Sequence, residues 1–111
     1  MKVNFNGFNE NVTTFLADTS VTAVGQPVKM EGNGMVAACG AGEPFCGVTV
    51  SVRDGYTAVQ LVGYIRVQTA SQLSVGYQKL AANAAGKVAF NENGREYLVL
   101  DSDSGSAGII L

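Results

Sequence analysis

The sequence contains no histidine and no tryptophan among its 111 residues. Histidine is the commonest general base at neutral pH and the usual partner of a serine or cysteine nucleophile, so its absence excludes the ordinary catalytic triads. Two cysteines without any histidine also cannot supply the four ligands of a structural zinc site. We therefore expect a protein that is not an enzyme and that uses no cofactor and no metal.

Charge and long apolar runs are scarce as well. Only 14% of the residues are charged, the net charge is −2, and the seven basic residues are scattered along the chain, which argues against nucleic acid as a partner. No apolar run approaches the roughly 20 residues that cross a membrane, and the N-terminus lacks a basic segment followed by an apolar stretch. We expect a soluble chain that is not exported and has no membrane partner.

Two short segments have an open chemical interpretation. Cys39 and Cys46 are spaced so that a disulfide across neighbouring strands is possible, but a cytosolic chain keeps such thiols reduced and free cysteine is usually buried, so we expect two thiols. Asp101 and Asp103 alternate with serine ahead of a glycine, as at the start of a calcium loop. The later bidentate acid is missing, and we interpret both aspartates as turn residues.

Glycine is abundant, with 14 residues, and it separates short runs rich in valine, threonine and aromatic residues. The clearest case is residues 46–68, in which two strand-like runs are joined by the hairpin dipeptide Asp54-Gly55. Because side chains alternate across a strand, we predict that Val48 faces the core and Thr49 faces solvent.

About eight short strands with glycine-rich turns predict a small all-β barrel or sandwich with a single core. Further hairpin turns are expected at residues 31–34 and 93–94, and Gly63 is expected to mark a bend or bulge within a strand run. Residues 24–37 and 75–89 share the positions of several glycines and valines, which indicates a weak internal repeat.

Residues 1–17 are predicted to form an N-terminal arm ahead of a β-barrel domain of residues 18–111. This segment is rich in asparagine and yet carries several apolar side chains. These side chains either pack on the domain's own core or anchor the arm on a partner, since aromatic anchors supply a large share of interface energy. The candidate contact residues are Val3, Phe5, Phe8 and Phe15.

Several segments occur in a characteristic order: Val24-Gly25-Gln26-Pro27-Val28-Lys29, Gly34-Met35-Val36-Ala37, Ala41-Gly42-Glu43-Pro44, Val75-Gly76 and Ala85-Gly86-Lys87-Val88. In this order the chain resembles the small capsid decoration, or cement, proteins of tailed bacteriophages. The resemblance extends over most of the chain, from about residue 20 onward, and rests on turn glycines and strand valines.

This resemblance implies a virion protein that is made in the host bacterial cytoplasm and binds the outer surface of the assembled capsid. Its partner would be the major capsid protein, whose neighbouring subunits it would bridge, and the family pattern favours a homo-oligomer, usually a trimer. Two alternatives stay open. One is a β-barrel module that binds a small ligand or a carbohydrate through Tyr56, Tyr64 and Tyr77, and the other is a tail or baseplate component of the same kind of particle.

Overall fold

The computed structural model describes residues 11–111, and within this range the chain consists of strands and turns without a helix. The all-β fold expected from the sequence is confirmed. The ten strands are β1 (Asn11–Ala17), β2 (Pro27–Gly32), β3 (Met35–Ala38), β4 (Gly47–Arg53), β5 (Tyr56–Val62), β6 (Tyr64–Gln68), β7 (Gly76–Ala82), β8 (Val88–Phe90), β9 (Arg95–Ser102) and β10 (Ser106–Ile110).

The strands form two sheets, one from each half of the chain. The first is a closed barrel with the order β1-β3-β2-β4-β5, in which β1 runs antiparallel to β5 and parallel to β3. The second is a five-stranded sheet with the order β6-β10-β9-β7-β8. An isolated parallel bridge between Thr69 and Val88 brings the end of β6 next to β8, so the second sheet curls in the same sense as the first.

Local turn chemistry places several of these elements. Asp54 and Gly55 join β4 to β5 as an antiparallel hairpin, as predicted, and Gly55 has a φ of 78° that favours glycine. Gly63 has a φ of 97° and lies between β5 and β6. The bend predicted at Gly63 is therefore confirmed, and it is the point at which the chain leaves the barrel and enters the second sheet.

The hairpin predicted at residues 93–94 is wrong. β8 and β9 do not pair with each other, because both pair with β7, one on each side. Leu80 lies opposite Phe90 of β8 and also opposite Arg95 of β9. Residues 91–94 therefore carry the chain across β7 at Leu80, and a β-carbon added to Gly94 would lie only 2.5 Å from the Leu80 carbonyl carbon.

Two hydrophobic clusters replace the single core that was expected. The first-half cluster consists of Val21, Val28, Val36 and Val59. The second-half cluster is larger, and it includes Phe45 and Val48 from the first half of the chain. Its other members are Val67, Leu73, Leu80, Val88, Tyr97, Val99, Ala107 and Ile109. Phe45 stacks on Tyr97 with ring centroids 4.9 Å apart, and the Tyr97 hydroxyl donates to the Phe45 carbonyl. The loop before β4 thus fills the second core and ties the two halves together.

Val48 is buried as predicted, but the prediction that Thr49 faces solvent is wrong. Thr49 is only 1% exposed; its hydroxyl donates to the Ala23 carbonyl at 2.7 Å and accepts from the Gln26 N–H at 2.9 Å. The register shift between β4 and β5 lies after Thr49, between Thr49 and Ser51, so Val48 and Thr49 still alternate and the burial of Thr49 has another cause. The loop before β2 covers the face that was assigned to water.

The internal repeat is a property of the whole fold. When β1 to β5 are matched to β6 to β10, the strand neighbours in the first barrel correspond to those in the second sheet, including the contact of β6 with β8 through the isolated bridge. The clusters match as well, because each member of the first-half cluster has a buried counterpart 50 to 52 residues later. The pairs are Val21 and Leu73, Val28 and Leu80, Val36 and Val88, and Val59 and Ile109.

Candidate interaction surface

Three of the candidate contact residues, Val3, Phe5 and Phe8, lie outside the described residues. The fourth, Phe15, lies in β1 and packs partly buried against the first-half cluster. Residues 11–17, which the sequence grouped with the arm, form β1 and pair with both β5 and β3. Of the two interpretations of Phe15, the structure therefore supports the one in which the ring packs on the protein's own core.

The neighbour of Phe15 points the other way. Leu16 alternates with the inward Phe15 and lies directly opposite Tyr56 on β5, so the two side chains share the outer face of the barrel. Leu16 is 42% exposed and Tyr56 is 54% exposed. We call the surface formed by Val12, Thr14, Leu16, Tyr56 and Ala58 the β1–β5 face.

A shallow depression of about 70 Å³ lies on this face and extends toward β4. It is lined by Thr14, Ser51, Arg53, Tyr56, Thr57 and Ala58. Arg53 pairs with Tyr56 across the β4–β5 ladder and takes part in none of the ion pairs among the described residues. The β1–β5 face therefore offers an apolar pair, a small recess and an exposed guanidinium that forms no ion pair within residues 11–111.

A second concave region lies between the halves and is lined by Thr22, Ala23, Val24, Gly25, Gln26, Arg66, Gln68, Ala85 and Gly86, with a volume of about 370 Å³. The cation in its lining, Arg66, already forms ion pairs within the protein. The guanidinium of Arg66 donates to Asp101 at 2.8 Å, to Asp103 at 3.4 Å and to the Ser106 hydroxyl at 3.1 Å. This groove is polar, and its positive charge is balanced by the protein's own acids.

Asp101 and Asp103, which alternate with serine as at the start of a calcium loop, have structural partners within the protein. Asp103 accepts from the backbone N–H groups of Gly105 and Ser106 at 2.9 and 2.8 Å, and these bonds hold the pKa of Asp103 below its usual 3.8. The side chain therefore shapes the turn between β9 and β10. Among residues 11–111, no group of three or more potential metal-ligating side chains lies together.

The three tyrosines that were considered as ligand contacts do not form one site. Tyr64 is 9% exposed and belongs to the buried set, whereas Tyr56 and Tyr77 are exposed. Tyr56 lies in the first barrel and Tyr77 lies in β7 of the second sheet. The structure thus does not assemble the aromatic platform that a carbohydrate-binding interpretation requires.

The two cysteines are free thiols, and both are partly buried. Burial raises the pKa of Cys39 to about 11, and the Glu43 carboxylate adds to this effect. Burial also raises the pKa of Cys46. A thiol with a raised pKa is a weak nucleophile at neutral pH, because the thiolate is the reactive species.

Comparisons with known proteins add no family assignment, since no family model matches the chain and no curated protein is significantly similar to it. Within residues 11–111, no helix has the length and apolar character needed to span a membrane. The β1–β5 face is therefore identified as a candidate surface from its geometry alone. Sequence reasoning named Tyr56 only as a candidate ligand contact and missed Leu16. The available signal was the alternation of Leu16 with Phe15, in a segment that the sequence assigns to an arm.

Proposed function

We propose that this protein is a structural, non-enzymatic component of a tailed-phage particle that binds the outer capsid surface. In this proposal it contacts the major capsid protein and stabilises the shell by bridging neighbouring coat subunits, and it acts as a homo-oligomer, with a trimer favoured. Support comes from the resemblance of residues 20–111 to decoration proteins and from the β1–β5 face. The observation that carries the proposal is the exposed Leu16–Tyr56 pair beside Arg53 on a closed barrel.

The composition of the β1–β5 face suggests what it would bind. An apolar pair next to a cation that forms no ion pair within residues 11–111 is complementary to an apolar recess with an acidic residue at its rim. The first strand of this face, β1, begins at Asn11, immediately after the segment that carries Val3, Phe5 and Phe8. In the proposal, the barrel face and these apolar residues together contact the coat subunit.

The binding energy that each protein molecule contributes need not be large. Full burial of a leucine-sized side chain contributes about 1.5–3 kcal/mol, and Leu16 and Tyr56 are only about half exposed, so each would contribute roughly 1 kcal/mol before ordering costs. Contacts of this size become significant when one protein joins several sites on a repeating surface. A small, rigid domain suits that role, because little conformational entropy is lost when it binds.

The test is co-sedimentation of the purified protein with heads from a phage mutant that lacks this gene. We expect binding to the outer surface, together with a higher temperature of head disruption. Leu16→Ser and Tyr56→Ser should each weaken binding, and deletion of residues 1–9 should abolish it, while the folded domain keeps its thermal midpoint. Failure of the wild-type protein to bind heads, or its location on the tail by electron microscopy, would contradict the proposal.

A second candidate function has one observation in its favour, the groove of about 370 Å³ between the halves. Its volume is in the range of small-ligand sites, and its lining combines backbone groups with Arg66 and Gln68. Screening a glycan array with the wild-type protein and with Gln68→Ala tests this function. Saturable binding that Gln68→Ala removes would favour the ligand-binding module over the virion protein.

A further inference from the structure

The first barrel is closed by a parallel seam between β1 and β3. Two backbone hydrogen bonds help to hold this seam. The Leu16 N–H donates to the Gly34 carbonyl at 2.9 Å, and the Asp18 N–H donates to the Val36 carbonyl at 3.1 Å. The corresponding seam of the second half lies between β6 and β8, where the isolated bridge is found.

The seam of the second half has only one of these two bonds. The Ala70 N–H donates to the Val88 carbonyl at 3.1 Å, and this pair lies 52 residues after Asp18 and Val36. The same offset places Gln68 at the position of Leu16 and Gly86 at the position of Gly34, but the Gln68 N–H does not bond to the Gly86 carbonyl. The seam is therefore open between Gln68 and Gly86.

The groove of about 370 Å³ lies at this opening, since Gln68 and Gly86 both line it. Backbone groups along a strand point alternately to its two sides. The Thr69 N–H donates to the Gly105 carbonyl, on the side where β10 lies, so the backbone groups of Gln68 and Arg66 face the opening. The edge of β6 thus presents polar backbone groups to the groove at every second residue.

A side chain at the same end of β6 also lacks a partner. Thr69, which forms the bridge to Val88, is only 2% exposed, and its hydroxyl has no hydrogen-bond partner within the described part of the chain. Buried polar groups in folded proteins are normally paired. The second seam is therefore polar and incompletely paired, whereas the first is closed.

We propose that the groove binds an extended, uncharged peptide segment of the major capsid protein, which adds to the edge of β6 as a further strand. The segment accepts a hydrogen bond from the Gln68 N–H and donates one to the Gly86 carbonyl. These are the two groups whose counterparts, Leu16 and Gly34, bond to each other in the first barrel. This inference rests on the proposed function and names the kind of coat segment that is bound.

The spacing and the charge of the groove select this occupant. An extended peptide carries N–H and carbonyl groups with the same two-residue repeat as Arg66 and Gln68, and a sugar has no such repeat. The Arg66 guanidinium is already paired with Asp101 and Asp103, so an acidic segment would find its positive charge balanced. The segment that fits is therefore uncharged and bound through its backbone.

The experiment titrates the isotopically labelled full-length protein with overlapping synthetic peptides of about ten residues that cover the major capsid protein, a length that spans a typical strand. We expect saturable binding of an uncharged peptide, followed by NMR. Hydrogen exchange of the Gln68 amide should slow by at least about tenfold, because it gains a partner. The Thr69 amide is the internal control, since it already bonds to Gly105, and its exchange should change by no more than about twofold.

A pair of variants tests the location. Ala85 lines the groove, so Ala85→Trp places a large side chain in it and should weaken peptide binding by at least about tenfold. Ala84 is exposed in the same turn but does not line the groove, so Ala84→Trp is the matched control and should bind within about twofold of wild type. Thermal unfolding checks that both variants are folded.

Three results would overturn the inference: no peptide binds saturably, a peptide binds without slowing exchange at Gln68, or the two tryptophan variants bind equally well. Deletion of residues 1–9 gives a further check, because faster exchange at Gln68 in the deleted protein would show that the chain's own N-terminal segment fills the groove, which also overturns the inference. If wild type binds heads but no peptide, the inference fails and the proposed function stands. If wild type binds no heads but a coat peptide still protects Gln68, the proposed function fails and the inference stands.

Discussion

Replacement of Gly94 by alanine should destabilise the protein more than the addition of a single methyl group suggests. Residues 91–94 carry the chain over β7, and Gly94 lies against the backbone of Leu80. A β-carbon at position 94 would stand 2.5 Å from the Leu80 carbonyl carbon and 2.8 Å from its nitrogen, with the carbonyl oxygen closer still. These atoms belong to the backbone of a strand that is paired on both sides, so they cannot rotate away.

The expected cost follows from that geometry. Overpacking in a well-packed region typically costs about 1–3 kcal/mol, and a clash with backbone lies at the upper end of that range or above it. A loss of about 3 kcal/mol would lower the melting temperature of a domain of this size by roughly 12 °C. Urea unfolding followed by circular dichroism measures the loss of free energy directly.

Gly105→Ala is the matched control for this substitution. A β-carbon at Gly105 meets no heavy atom within 4 Å, and the residue does not have a left-handed backbone conformation. Alanine there should be neutral or stabilising by up to about 1 kcal/mol, because it restricts the unfolded chain. If the two variants unfold with free energies within about 0.5 kcal/mol of each other, the crossover at Leu80 is not as tight as described.

Three further predictions concern individual side chains. Thr49→Ala should cost about 1–3 kcal/mol in urea unfolding, because the Ala23 carbonyl and the Gln26 N–H lose their buried partner, whereas Thr49→Ser should keep most of the stability. The lowered pKa of Asp103 means that its stabilising contribution is present above the usual pKa of 3.8 and is lost as the pH falls through the lowered value. The melting temperature of wild type should therefore fall further than that of Asp103→Asn between about pH 6 and about pH 2, and parallel curves would contradict this role. At about pH 8, Cys39 with its pKa of about 11 should react with iodoacetamide roughly 100-fold more slowly in the folded protein than in the unfolded chain, and equal rates would refute its burial.

The sequence by itself determined the all-β class and the turns. Asp54-Gly55 and Gly63 were located correctly because hairpin type and left-handed backbone depend on the residues in the turn and on little else. Pro27 begins β2, as expected for a residue that cannot donate to a ladder. The internal repeat was also visible, since turn glycines and buried valines keep their spacing when a unit of five strands is used twice.

Only the tertiary structure decided which strands pair and which faces are covered. Glycine at position 94 signals a turn, but nothing local distinguishes a hairpin from a crossing over β7. Alternation divided β4 into two faces, but it did not reveal that the loop before β2 covers Thr49. Residues 11–17 were assigned to an arm, so the contact of Leu16 with Tyr56 on the outside of the barrel was not predicted. The physical reason is that burial depends on segments far apart in sequence, whereas a pattern of residues records only local preference.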